Sequence, residues 1–179
     1  MMRFTDAAHF EAWLAGHHDT AGEIWLAIAR RGATAGTVTI EQALEVALCY
    51  GWIDSHRKAG DQDTYLQRYS PRRAGSRWSR VNVERAESLI AAGRMRPPGL
   101  AQIAAARADG RWAAAYAAQR DAPLPPDLAA ALAADPVAAT RFQALGKTAR
   151  YRLVLPLLTA RTARGRAARL DRAVGELSR

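Results

Sequence analysis

Residues 49–82 read CYGWIDSHRKAGDQDTYLQRYSPRRAGSRWSRVN. Two runs within them, 52–58 (WIDSHRK) and 64–69 (TYLQRY), have the aromatic content and the alternation of strands, with Ala59, Gly60 and Asp61 between them. Together they predict a β-hairpin. Alternation places Trp52, Asp54 and His56 on one face of the first strand, with Ile53, Ser55 and Arg57 on the other. On the second strand Tyr65, Gln67 and Tyr69 share a face, and Leu66 and Arg68 take the opposite one.

Working outward, Thr39 stands before a run in which Ile40, Ala43, Leu44, Ala47 and Leu48 recur at helical spacing. Gln42, three residues after Thr39, completes a capping box, and Gly51 suits the helix C-terminus. Further upstream, residues 23–30 (EIWLAIAR) predict a third strand. Thr5 or Asp6 caps a first helix with Phe10, Trp13 and Leu14 on its apolar face. Downstream, residues 79–92 predict a helix closed by Gly93, and Pro97-Pro98-Gly99 reads as a break. Helices are expected over 100–108, 111–119, 126–134, 136–145 and 147–174. The predicted class is α+β: mainly helical, with a small antiparallel sheet of about three strands in the N-terminal half and an all-helical C-terminal half. The shift near Pro97 and Pro98 suggests an α+β region over 1–96 that carries the candidate site and a helical region over 97–179, the two forming one compact unit.

The 179 residues are 49% hydrophobic and 24% charged, ordinary globular values that allow a core. The lone Cys49 excludes an internal disulfide and a cysteine-based metal cluster, and points to a reducing compartment. The opening residues MMRFTDAAHFEAWL lack the apolar run and cleavage site of a signal peptide, and no segment approaches the roughly 20 apolar residues of a transmembrane helix. A cytoplasmic location is expected.

The net charge of +9 is uneven. Residues 1–60 hold 5 Lys/Arg against 7 Asp/Glu, residues 61–120 hold 11 against 5, and residues 121–179 hold 10 against 5. Such a basic body suits an anionic small molecule, an acidic protein surface or nucleic acid as partner. Only Lys58 and Lys147 are lysines, so an arginine-rich composition accounts equally for a solvated basic surface.

Asp54 and His56, taken as same-face neighbours, form either an edge ion pair or an acid–base pair. No Ser–His–Asp triad can be built around Ser55. The second element collects Tyr65, Arg68, Arg72, Ser76, Trp78, Ser79 and Asn82, with guanidinium forks and aromatic faces leading into a helix N-terminus. That combination points to an anion pocket including Trp52, Asp54 and His56, which Arg94 in the basic connector 93–99 could close. The histidines (His9, His17, His18 and His56) have no metal-binding spacing, and no phosphate-binding glycine loop is present, so neither metal nor cofactor is expected. On the last predicted helix, Arg161, Arg164, Arg166, Arg169 and Arg172 make a broad basic face.

Several motifs occur in order: Ile24-Trp25-Leu26, Ala43-Leu44, Gly51-Trp52-Ile53-Asp54-Ser55, Pro71-Arg72-Arg73, Trp78-Ser79, Gly93-Arg94-Met95 and Asp109-Gly110-Arg111-Trp112. With the Arg-rich segment 160–169, they resemble the YdeI/OmpD-associated family, also labelled bacteriocin-protection proteins, over nearly the whole chain. Leu157-Leu158 and Thr159-Ala160-Arg161 depart from the more polar run expected in that closing helix. The resemblance implies help in tolerating bacteriocins or cationic peptides and association with an outer-membrane porin. It carries over no catalytic residues.

Three functions are therefore open. The first is a stress-tolerance protein that binds an anionic ligand or partner. The second is an enzyme acting on a small phosphorylated or carboxylated substrate with Asp54 and His56. The third is a nucleic-acid binder.

Overall fold

Gly51 ends one helix and starts the central hairpin in a single step. Its φ of 73° lies in the left-handed region, where a side chain would be strained. The computed structural model describes residues 1–117, 121–160 and 162–179. The chain divides into two units, residues 1–78 with 82–114 and residues 79–81 with 115–179.

In the first unit, α1 (Ala7–His17) is capped by the Asp6 side chain and leads to β1 (Ile24–Ala29). Next comes α2 (Ile40–Cys49), with the Thr39–Gln42 capping box formed in both directions. The hairpin follows as β2 (Trp52–Ala59) and β3 (Thr64–Pro71). Asp61 Oδ1 holds its turn by accepting from the Asp63 and Thr64 amides at 3.1 and 2.7 Å and from the Thr64 hydroxyl at 2.7 Å. The unit is completed by α3 (Arg80–Ala91), apart from its first two residues, and by α4 (Pro97–Ala108).

The three-stranded sheet is antiparallel with order β1-β3-β2. Ile24, Leu26 and Ile28 stand opposite Tyr69, Gln67 and Tyr65, so the expected face of β3 is realised. Helix α1 lies against this face, with Phe10 5.8 Å from the Tyr69 ring and Trp13 edge-on to Trp52 at 6.1 Å. Helix α2 packs on α1, β2 and α4.

The alternation expected along β2 fails after Asp54. Asp54 pairs with Tyr69 and Arg57 pairs with Gln67, so three steps on β2 match two on β3. This β-bulge carries Arg57 to the Asp54 side of the sheet and leaves His56 exposed. Its anchor is Gln67, which accepts from Arg57 Nε at 3.2 Å and donates to the His56 carbonyl at 3.2 Å.

Pro97-Pro98-Gly99 starts α4 instead of breaking the chain, because proline costs a helix nothing in its first turn, where amides lack acceptors anyway. Residues 111–117 do not form the expected helix, and 118–119 lie outside the described residues. Gly110 turns with φ 77°, and the Arg111 guanidinium is drawn to the Asp109 carboxylate at 2.7 Å and the Ser76 carbonyl at 2.7 Å.

The second unit is helical: α5 (Pro126–Ala134), α6 (Pro136–Ala144), α7 (Lys147–Leu158) and α8 (Ala163–Ser178). The long helix expected over 147–174 is two helices, because Pro156 sits in the last turn of α7 and the Thr162 side chain caps α8. Leu128, Leu132, Phe142, Leu153, Val154, Leu157 and Leu177 form its core. Two arginines of the expected basic face are tied down: Arg166 bonds both Asp127 oxygens and the Leu157 carbonyl, and Arg169 bonds the Pro156 carbonyl. Arg161 lies outside the described residues.

The class is thus α+β, 52% helical, with one three-stranded antiparallel sheet in the N-terminal half and a helical C-terminal half. No helix among the described residues is long and apolar enough to cross a membrane.

Candidate functional site

A polar group gathers where β2 and β3 begin and end beside each other. Asp54 is half-buried opposite Tyr69, whose side chain is 0% exposed. Three residues past Tyr69, the Arg72 amide donates to the Gly51 carbonyl at 3.0 Å, which fixes the chain beside the start of β2. Arg72 is only 5% exposed, its guanidinium lies 3.6 Å from the centre of the Trp78 ring, and its Nη1 donates to the Arg77 carbonyl at 3.1 Å. Trp78 in turn meets Trp112 edge-on at 4.8 Å. Arg57, carried over by the bulge, lies 4.1 Å from the Tyr65 ring centre.

Burial pushes the Asp54 carboxyl above its ordinary value, against the opposing pull of a hydrogen bond from its own backbone amide and then of the Arg72, Arg57 and Arg85 charges. Burial, and then the neighbouring Asp54 charge, push the Tyr69 hydroxyl far up. Two buried donors, Tyr69 Oη and Trp78 Nε1, have no acceptor among the described residues. Among the described residues, no side chain closes an ion pair or hydrogen bond on the Asp54 carboxylate.

The Asp54 shift has a pH consequence. A raised native pKa means that ionising Asp54 costs stability as pH rises through that value. Asp54→Asn is therefore expected to melt higher than the parent at neutral pH, with the difference vanishing as pH falls below the ordinary aspartate value of 3.8. Thermal melts of both proteins between neutral and acid pH check this; an unchanged gap across that range rules it out.

The other expected site residues are distributed differently. Trp52 is core, 1% exposed, with Nε1 donating to the His18 carbonyl at 3.1 Å. Arg68 is on the opposite face, paired with Glu23 at 2.6 Å and bonded to Ser55 Oγ at 3.2 Å. Beside it Lys58 covers the Trp25 ring at 4.0 Å. Ser76 offers its carbonyl to Arg111. Asn82 is half-buried in α3, and Ser79 belongs to the second unit. Arg94 is held by Glu45 at 2.7 Å. Asp54, Tyr65, Arg72 and Trp78 remain linked in one neighbourhood. Arg57, Tyr69 and Arg85 join them without having been read as site residues. For Arg57 the available signal was Gln67, a polar residue between Tyr65 and Tyr69 on one strand face, where it is buried.

Residues 2–102, more than half of the chain, match the model of the family described as Domain of unknown function (DUF8412), and the chain belongs to that family. The polar group around Asp54 and Arg72 lies within this match. Residues 121–179 match a second model, Bacteriocin-protection, YdeI or OmpD-Associated. The resemblance to that family is thus located in the helical C-terminal part, whereas most of the motifs that suggested it, from Ile24-Trp25-Leu26 to Gly93-Arg94-Met95, fall in the first match. No curated protein and no solved structure matches the chain.

Proposed function

We propose that the protein is a cytoplasmic tolerance factor of the bacteriocin-protection, YdeI or OmpD-associated kind, binding an anionic small molecule or acidic protein surface through its N-terminal unit. The observation that carries the reading is the pair of arginines at the Asp54 end of the sheet: the bulge places Arg57 on the Asp54 side, and the Arg72 amide is fixed to the Gly51 carbonyl beside the start of β2, so two cations stand near one carboxylate. Tyr69 Oη and Trp78 Nε1 add buried donors without acceptors among the described residues, and a bound anion supplies acceptors. The C-terminal family match supports the tolerance role.

The acid–base alternative loses its geometric basis, since the bulge separates His56 from the Asp54 face. No observation favours the nucleic-acid reading over the others, and seven arginines form ion pairs with carboxylates among the described residues.

Inorganic phosphate is the first probe, titrated calorimetrically at constant ionic strength. Loss of one charged donor to the anion removes about 1.5–3 kcal/mol, so Arg57→Gln is expected to weaken binding roughly tenfold or more. In cells lacking the gene, the parent chain restores survival in a cationic peptide, and Arg57→Gln and Arg72→Met do not. Full rescue by both variants, with normal circular dichroism, rejects the proposal; Arg57→Gln keeps the test decisive if the buried Arg72 is needed for folding.

A further inference from the structure

The sheet has two edges, and the fold treats them differently. Along β1 the outer edge is closed. The Met2 amide donates to the Trp25 carbonyl at 2.8 Å, the Met2 carbonyl accepts from the Ala27 amide at 2.9 Å, and Thr37 Oγ1 accepts from the Ala29 amide at 2.9 Å. Strand β2 forms the other edge. Among the described residues, no backbone group outside β3 bonds the backbone of residues 53–59, and residues 55–59 are exposed. An open edge is a template for one more strand.

Charge decides which strand can take it. The bulge leaves Arg57 opposite Gln67 and Lys58 opposite Leu66, so two successive cations stand on the two faces of the sheet at its edge. Arg57 lies over the Tyr65 ring on one face, and Lys58 lies over the Trp25 ring on the other. A second copy of β2 laid antiparallel along this edge would bring cations against cations, and like charges directly opposite are destabilising. Bulge and lysine thus guard against self-pairing. The same guard favours an incoming strand of the reverse charge. Because side chains alternate between faces, a carboxylate opposite Arg57 cannot also serve Lys58, which needs a second carboxylate from the adjoining residue.

We propose that the β2 edge takes an extended acidic segment of a partner protein by strand addition, with two consecutive carboxylate residues opposite Arg57 and Lys58. The proposal rests on the acidic-partner reading above and gives it a place and a sequence requirement.

Labelled peptides of one length, built from threonine and valine, are titrated with the intact chain and followed by fluorescence anisotropy. One carries Glu-Glu at its centre, one carries the same two glutamates separated by one residue so that both fall on one face, and one carries Lys-Lys. The Glu-Glu peptide is expected to bind about two- to fivefold more tightly than the separated one, the effect of one cross-strand ion pair, and Lys-Lys most weakly. Its binding should also slow hydrogen exchange at amides within residues 53–59, which contact through side chains alone does not do. In Lys58→Glu the preference should move to a peptide with one glutamate replaced by lysine: Lys-Glu for an antiparallel added strand, Glu-Lys for a parallel one. The parent's own ranking decides the matter if that variant does not fold. Equal affinity for adjacent and separated glutamates, or binding without protection of residues 53–59, overturns the edge assignment and leaves the acidic-partner reading standing. Protection that grows with protein concentration in the absence of peptide assigns the edge to a second copy and overturns it too. Failure of every acidic peptide to bind overturns the proposal, and if phosphate also fails, the reading beneath it falls as well.

Discussion

Trp52→Ala is expected to destabilise the protein by about 3–5 kcal/mol, a large share of the roughly 5–15 kcal/mol that holds an ordinary domain folded. The side chain is 1% exposed, meets Trp13 edge-on at 6.1 Å and donates from Nε1 to the His18 carbonyl. It joins the first strand of the hairpin to α1 and to the segment that follows α1. Removing it opens a void where helix and sheet meet, and also leaves the part-buried His18 carbonyl without its donor. Trp52→Phe keeps most of the ring and loses only the donor, so it should cost much less, about 1–2 kcal/mol. Chemical denaturation followed by far-ultraviolet circular dichroism measures both. A loss of under 1 kcal/mol for Trp52→Ala would return Trp52 to the list of ligand residues, because a tryptophan kept for binding rather than packing can be removed cheaply.

Gly99→Ala should cost about 1–3 kcal/mol or more, a large effect for one methyl group. A Cβ at position 99 would lie 2.3 Å from the Cys49 carbonyl oxygen and 2.8 Å from its carbon. It would also lie 2.7 Å from Met95 Cε, which can swing aside, but the backbone at Cys49 cannot. The Cys49 carbonyl also accepts from the Arg96 amide at 3.1 Å, so the end of α2 and the start of α4 are in direct backbone contact. Gly175→Ala in α8 is the control with the opposite sign: apart from its chain neighbours and its own helix backbone, nothing lies within 4 Å of its would-be Cβ, and the helical conformation suits alanine. It should stabilise by about 0.5–1 kcal/mol. If the two variants change the denaturation midpoint in the same direction, the close approach at Gly99 is not what sets its identity.

Much of this fold is legible wherever local chemistry settles local structure. Thr39 with Gln42 marks the start of α2, and the strands around Gly60 and Asp61 form the predicted hairpin, with Asp61 bonding its turn. What escaped the sequence depends on partners distant in the chain. The bulge after Asp54 is set by Gln67 gripping both Arg57 and the His56 carbonyl across the hairpin, and strict alternation cannot anticipate an extra residue. The same bulge undid the Asp54–His56 pairing and brought Arg57 beside the candidate site. Pro97-Pro98 was ambiguous because proline both stops helices and starts them, and only the chain that follows decides which. Residues 111–117 carry helix-favouring alanines, yet Arg111 is held by the Ser76 carbonyl, 35 residues away in sequence. Tertiary contacts there outweigh propensity.

The contact between α2 and α4 also bears on Cys49. Its side chain is buried, and the same burial pushes the thiol up to about 11, far from the thiolate that reacts with alkylating reagents. With no second cysteine in the chain, each alkylation event can only record a moment when Cys49 has left its buried setting. The protein thus carries an intrinsic clock for its own local opening, readable by mass spectrometry without any engineered label.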